Sequence, residues 1–165
     1  QKIEREVHET AVLAILDNQD VVIVEKCDSS QAVQTFSPLG SRTPLHCSSL
    51  GKALLMSHAE DFSTLLKKPL QRFTDHTITT IRDLRREIDR ARHEGIATAQ
   101  DEFSVGVSGV AAPILGVDSE ALAVIGVTLP SIRAEGTHLD QAKRIVGEQA
   151  SVFSRSMGYF EKEPA

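Results

Sequence analysis

Gly40-Ser41-Arg42-Thr43-Pro44-Leu45-His46-Cys47-Ser48-Ser49-Leu50-Gly51-Lys52-Ala53-Leu54-Leu55 runs from a glycine and proline turn, through small hydroxyl residues, into the first turn of a helix. The first backbone N–H groups of a helix lack partners within it and carry the positive end of its dipole, so such a turn suits a small anion. The same residues also read as a plain N-cap, with Ser48 or Ser49 closing the start of an amphipathic helix. That helix continues through Ala53, Leu54 and Met56 and ends around Ser57 or His58.

Upstream, residues 2–9 read as the tail of a helix. Thr10 to Leu16 and Val21 to Cys27 are β-rich runs joined by Asp17-Asn18-Gln19-Asp20, a hairpin signal outside the favoured two-residue pairs. A third short strand is expected around Gln31–Phe36. Downstream, a second helix is expected from Ala59 to Lys67, bounded by Pro69. Thr80 with Asp83 three residues on is a variant capping box, Leu84, Ile88 and Ala91 follow at helical spacing, and Gly95 is a stop signal. Ile96–Gln100, Val107–Leu115 and Ala121–Leu129 read as strands, the last two joined by a turn around Gly116-Val117-Asp118-Ser119. After Pro130 and Gly136 a final helix places Leu139, Ala142, Ile145, Val146, Gln149, Phe153 and Met157 on one stripe. Hairpin connections make the sheet mainly antiparallel with helices packed on it, an α+β domain.

At 165 residues the chain is long enough for one domain with a real core. Its net charge of −5 argues against an unaided grip on DNA, RNA or an anionic membrane. Aromatics make up 4% and Trp is absent, which removes a stacking platform for bases. Cys27 and Cys47 form no disulfide framework and suit reduced cytosolic thiols. No apolar run reaches membrane-spanning length. The charged start lacks the features of a signal peptide and looks like the end of a longer helix, so a cytoplasmic fragment of a larger protein is expected.

The six histidines at 8, 46, 58, 76, 93 and 138 show no metal-ligand spacing, which leaves only a site assembled from His46, Cys47 and a distant carboxylate. His46 and Cys47 invite a thiol mechanism, but adjacent residues of a strand point to opposite faces, and Cys47 reads as a small buried hydrophobe. There is no Walker loop, dinucleotide fingerprint or nucleophile elbow. Asp101-Glu102 reads as a solvated strand edge or a cap, with carboxylate catalysis as the alternative. Arg82, Arg85, Arg86, Arg90 and Arg92, interleaved with Asp83, Glu87 and Asp89, read as an ion-paired solvated helix face. No cofactor, metal or catalysis is expected.

Three segments together resemble the C-terminal effector-binding domain of the IclR family of bacterial transcription regulators. The opening stretch matches at Gly40, Pro44, His46, Ser48, Gly51, Lys52, Ala53 and Leu55. Thr77-Ile78-Thr79-Thr80 with Leu84, Ile88 and Gly95 is similar to a second family segment. Asp101-Glu102 through Gly106 to Ala111-Ala112-Pro113-Ile114 is similar to a third, and the strand Ala123–Pro130 follows it in the family's order. The resemblance implies a GAF-like fold over residues 10–162, with residues 1–9 as the end of an interdomain linker helix. It implies a winged helix-turn-helix outside this chain that would carry DNA binding, and association as dimers or tetramers.

The resemblance also implies a pocket for a small organic acid. Its carboxylate would meet the backbone at Ser49 and Leu50, with Ser48 and Gly51 beside them. Ala99, Asp101, Val107, Gly109, Gly126 and Thr128 would form the opposite wall. The family's usual Cys and Ser are replaced by Gly109 and Gly126. This suggests a roomier pocket for an aromatic or longer-chain acid, or else glycines that serve as sheet bulges or points of close approach. An enzyme using Cys47 or Asp101/Glu102 and a ligand-free oligomerisation domain are the competing readings.

Overall fold

Period-two alternation and helical stripes divide the chain into strands and helices largely where the residue pattern requires. The computed structural model describes residues 1–58 and 61–160. Helix α1 spans Lys2–Val7 and ends at His8, which is left-handed at φ 61°. Strands β1 (Thr10–Asp17) and β2 (Asp20–Cys27) form a hairpin with Asp17 opposite Asp20, so its loop is the two residues Asn18 and Gln19, Asn18 having φ 57°. Then come β3 (Arg42–Pro44), a 3₁₀ turn at Leu45–Cys47 and α2 (Ser49–Ser57). Helix α3 (Ile81–Glu94) leads to β4 (Ala97–Gln100), β5 (Val107–Leu115), β6 (Ala121–Pro130) and α4 (Gly136–Ser156).

The strands make one six-stranded sheet in the order β3-β2-β1-β6-β5-β4, antiparallel at every pairing. On one face Val12, Ala14, Val21, Ala111 and Val124 pack with Leu50, Ala53 and Leu54 of α2 and Leu84 and Ile88 of α3. On the other, Ala11, Val110, Ala112, Val127 and Leu129 pack with Ile3 and Val7 of α1 and with Ala142, Ile145 and Val146 of α4. The α3 boundaries follow from local chemistry: the Thr80 hydroxyl accepts from the Asp83 N–H at 3.1 Å, and Gly95 closes the helix at φ 70°.

Two expected elements are corrected. Residues 31–36 form no strand; the edge of β2 is taken instead by Arg42–Pro44, opposite Asp20–Val22. Of the helix expected over 59–67, residues 59–60 lie outside the described residues. The remainder holds only a 3₁₀ turn at Phe62–Leu65, where the Asp61 carboxylate accepts from the Ser63 N–H and hydroxyl. Such side-chain bonds to nearby backbone compete with an α-helix. No helix among the described residues is long and apolar enough to cross a membrane.

Candidate functional site

Helix α2 lies across β4, β5 and β6 and points its first turn at the sheet. Ser48 is its N-cap: the hydroxyl accepts from the Gly51 N–H at 3.1 Å and donates to the Pro44 carbonyl at 3.3 Å. The Ser48 carbonyl takes the Lys52 N–H at 3.0 Å. The amides of Ser49 and Leu50 are thus the first-turn donors that the helix itself does not use, and no acid lies in that turn to offset the dipole. Gly51 has a packing reason of its own. A Cβ there would collide with the backbone of Leu45, so only glycine lets the 3₁₀ turn lie against the helix.

The facing wall is a row across four strands. Ala99 pairs with Gly109, Gly109 with Thr128, and Thr128 with Thr10. The neighbouring row contains Gly126 between Ala111 and Val12, and Val107 stands one pair further along β5, opposite Pro130. The alternation therefore places Ala99, Val107, Gly109, Gly126 and Thr128 on the α2 face, as the strand parity requires. Asp101 stands apart from the row. Left-handed at φ 56°, it bonds Val107 through its N–H, and its carboxylate accepts from the Gly106 N–H at 2.6 Å and the Ser131 hydroxyl at 2.7 Å. Its visible work is to shape the turn between β4 and β5.

The two glycines do not add room. A Cβ on Gly109 would collide with the Ser49 hydroxyl, and one on Gly126 would collide with the Val110 carbonyl of the adjacent strand. The space removed at 109 is filled by Ser49, and that at 126 by backbone. The expectation of a roomier pocket gives way to close approach.

Four hydroxyls missed in the sequence reading complete the site. In the irregular segment 28–41, the buried Thr35 and Ser37 meet the Thr128 hydroxyl at 2.6 and 3.1 Å. Thr10, fully buried, accepts from the Ser29 N–H, and the Ser29 hydroxyl donates to the His8 carbonyl at 2.7 Å. The available signal was the pair of hydroxyls at 35 and 37 flanking Phe36, which is 89% exposed.

Behind the site, Lys52 is wholly buried. Its ammonium donates to Glu102 at 2.6 Å, the Thr98 carbonyl at 3.1 Å and Glu87 at 3.4 Å. Burial pushes the Glu102 carboxyl up, with Lys52 offsetting only part of that, and its second oxygen has no hydrogen-bond partner among the described residues. Burial also raises Glu87, but Arg90 and Lys52 outweigh it and hold that carboxyl below the usual range. Burial and the Glu102 charge push the Cys47 thiol up to about 12, so the thiolate a nucleophile needs is disfavoured there. His46, lowered by burial, donates through Nε2 to the Gln71 carbonyl at 3.0 Å. Among the described residues no three of His, Cys, Asp and Glu gather where they would hold a metal. A cavity of about 670 Å³ lies on the other face, between α1, β1, β6 and the end of α4.

The family described as bacterial transcriptional regulator IclR, C-terminal, matches residues 1–155. The chain is 35% identical over 152 residues to the HTH-type transcriptional regulator BhcR of Paracoccus denitrificans, covering 90% of this chain and 54% of that protein. It is 31% identical over 152 residues to the HTH-type transcriptional repressor AllR of Escherichia coli, covering 91% and 56%. It therefore spans about half the length of these curated relatives. The crystal structure of the Thermotoga maritima IclR superposes with a TM-score of 0.90 at 26% identity, over 96% of this chain and 65% of that one.

Proposed function

The chain belongs to the IclR family of bacterial transcriptional regulators, as their C-terminal domain, and on that premise we propose that it senses a small carboxylate-bearing metabolite. The observation that carries the reading is the pair of first-turn amides at Ser49 and Leu50, which the helix leaves unused, facing a row of small and hydroxyl side chains across the α2 face. Amides at a helix start favour an anion, and the hydroxyls of Thr128, Thr35 and Ser37 offer donors and acceptors to the rest of a small polar molecule. With Ser49 filling the place beside Gly109, a compact acid fits this arrangement better than an aromatic one.

In this reading Ser48, Ser49, Leu50 and Gly51 hold the carboxylate, and Ala99, Val107, Gly109, Gly126 and Thr128 form the wall. Asp101 supports the site by fixing the turn at its edge. Binding would favour one association of the subunits, dimer or tetramer, and thereby alter the grip on DNA of a helix-turn-helix elsewhere in the longer protein. Cytoplasmic residence accompanies this role. Calorimetry with glyoxylate, pyruvate and benzoate tests it. Saturable binding of a keto acid, weakened at least tenfold by Gly109→Ala, supports the reading; no heat from any acid at millimolar concentration overturns it.

A further inference from the structure

Segment 28–41 closes the candidate site without help from a core of its own. It has no helix or strand, and its apolar side chains Val33 and Phe36 are 61% and 89% exposed. What holds it is a set of hydrogen bonds: Ser29 on the His8 carbonyl at its start, Gly40 and Ser41 on the Ile23 backbone at its end, and between them Thr35 and Ser37 on Thr128 and one bond from outside the site. Segments with few buried apolar contacts open at low free-energy cost, so each of these ties matters.

The outside bond comes from Arg133, in the 3₁₀ turn after β6. Its guanidinium donates to the Val33 carbonyl at 2.9 Å, two residues from Thr35. The same group grips both oxygens of Glu9, at 2.6 and 2.8 Å. Glu9 is 1% exposed and follows α1 directly, after the left-handed His8, and its Oε1 also meets His138 of α4 at 3.1 Å. A guanidinium presents its donors in one rigid plane, so both acceptors are satisfied only when the loop and the joint after α1 hold one relative setting. Glu9 cannot relax into water without breaking its burial, which keeps Arg133 in place.

We infer that Arg133 couples closure of segment 28–41 over the candidate site to the setting of α1 on the opposite face of the sheet. A site occupant that orders Thr35 and Ser37 then also fixes Val33, Arg133, Glu9 and the joint at His8. Looseness at that joint opens the loop in return, because coupling between two elements is reciprocal. The regulatory meaning rests on the proposed sensing role, whereas the coupling itself needs no ligand.

Hydrogen exchange on the ligand-free chain tests it. The His8 N–H, bonded to the Glu4 carbonyl, reports α1, and the Gln31 N–H, bonded to the Ser29 hydroxyl, reports the loop. Loosening the loop with Thr35→Val and Ser37→Ala is expected to speed exchange at His8 about threefold to tenfold, the size of one or two lost hydrogen bonds. In an Arg133→Lys background, which keeps the charge on Glu9 but lacks the fork, the same pair should change His8 less than about twofold. Glu9→Gln should speed exchange at Gln31. Equal effects at His8 in both backgrounds, or none in either, overturn the coupling. If a variant fails to fold, Ser37→Ala alone in the two backgrounds gives the same comparison. Carboxylate calorimetry is read separately: absence of binding would remove the sensing role and leave this result standing.

Discussion

Ser49 and Gly109 face each other between α2 and β5, and the serine hydroxyl stands where a side chain at 109 would begin. The absence of a side chain on the strand is therefore what admits the hydroxyl at the helix start. Gly109→Ala should push Ser49 aside and destabilise the domain by about 1–2 kcal/mol. Adding Ser49→Gly should recover most of that loss. Thermal unfolding of the two variants checks it, and equal melting of single and double variants would contradict the contact.

Gly51 offers a sharper contrast, because helix propensity and packing point in opposite directions. In an exposed helix interior, alanine would be favoured over glycine by about 1 kcal/mol. Here the added carbon would run into the Leu45 backbone, which cannot swing away as a side chain would. Gly51→Ala should lower stability by about 3 kcal/mol or more, as overpacking against backbone does. A rise in the urea midpoint would show that the turn at 45–47 moves freely.

Lys52→Met should cost about 3–5 kcal/mol near neutral pH, since it leaves Glu102 and Glu87 without their buried cation. The deficit should narrow on acidification. With Lys52 gone, burial raises the Glu102 folded-state value further above the unfolded one. That group then favours folding at low pH, and the benefit is lost as pH rises through its folded value. In the wild type, Glu87 acts in the other direction, its contribution present above the unfolded carboxylate range near about pH 4 and lost below it. Urea unfolding of both proteins across that range measures the gap; a gap that widens toward acid contradicts the pairing.

Gln149 is 8% exposed on the apolar stripe of α4, lines the cavity by Phe153, and its side-chain amide has no hydrogen-bond partner among the described residues. The amide is not sealed from solvent, so the gain from an apolar group of like size is the added apolar burial against the Phe153 side of the cavity, about 1 kcal/mol. Gln149→Leu should therefore raise the urea midpoint. A lowered midpoint would mean that the amide is bonded in solution.

Much of this was readable from local chemistry. Thr80 and Gly95 mark α3 because a cap and a stop act within a few residues, and alternation along β5 and β6 sorted Gly109 and Thr128 from Val110 and Ala112. The stretch around Thr35 and Ser37 was misread because inward hydroxyls two apart imitate a strand, while the strand edge that would pair with it is occupied by Arg42–Pro44. Lys52 lies within the Gly40–Leu55 motif, yet its burial depends on Glu87 and Glu102, 35 and 50 residues away. The glycines marked positions without side chains, but only the fold shows what fills the space.

The strand order carries a mechanical consequence. The sheet consists of two three-stranded meanders, β1 to β3 and β4 to β6, and they join along one seam where Thr10–Ala14 meets Val124–Thr128. Thr10 and Thr128 sit at the end of that seam, while α2, which continues from the first meander, lies across the second. A molecule held between the α2 amides and the β5–β6 wall would clasp one half of the sheet to the other. Its binding energy would then resist opening along the seam, by about 2.7 kcal/mol at a hundred times the dissociation constant.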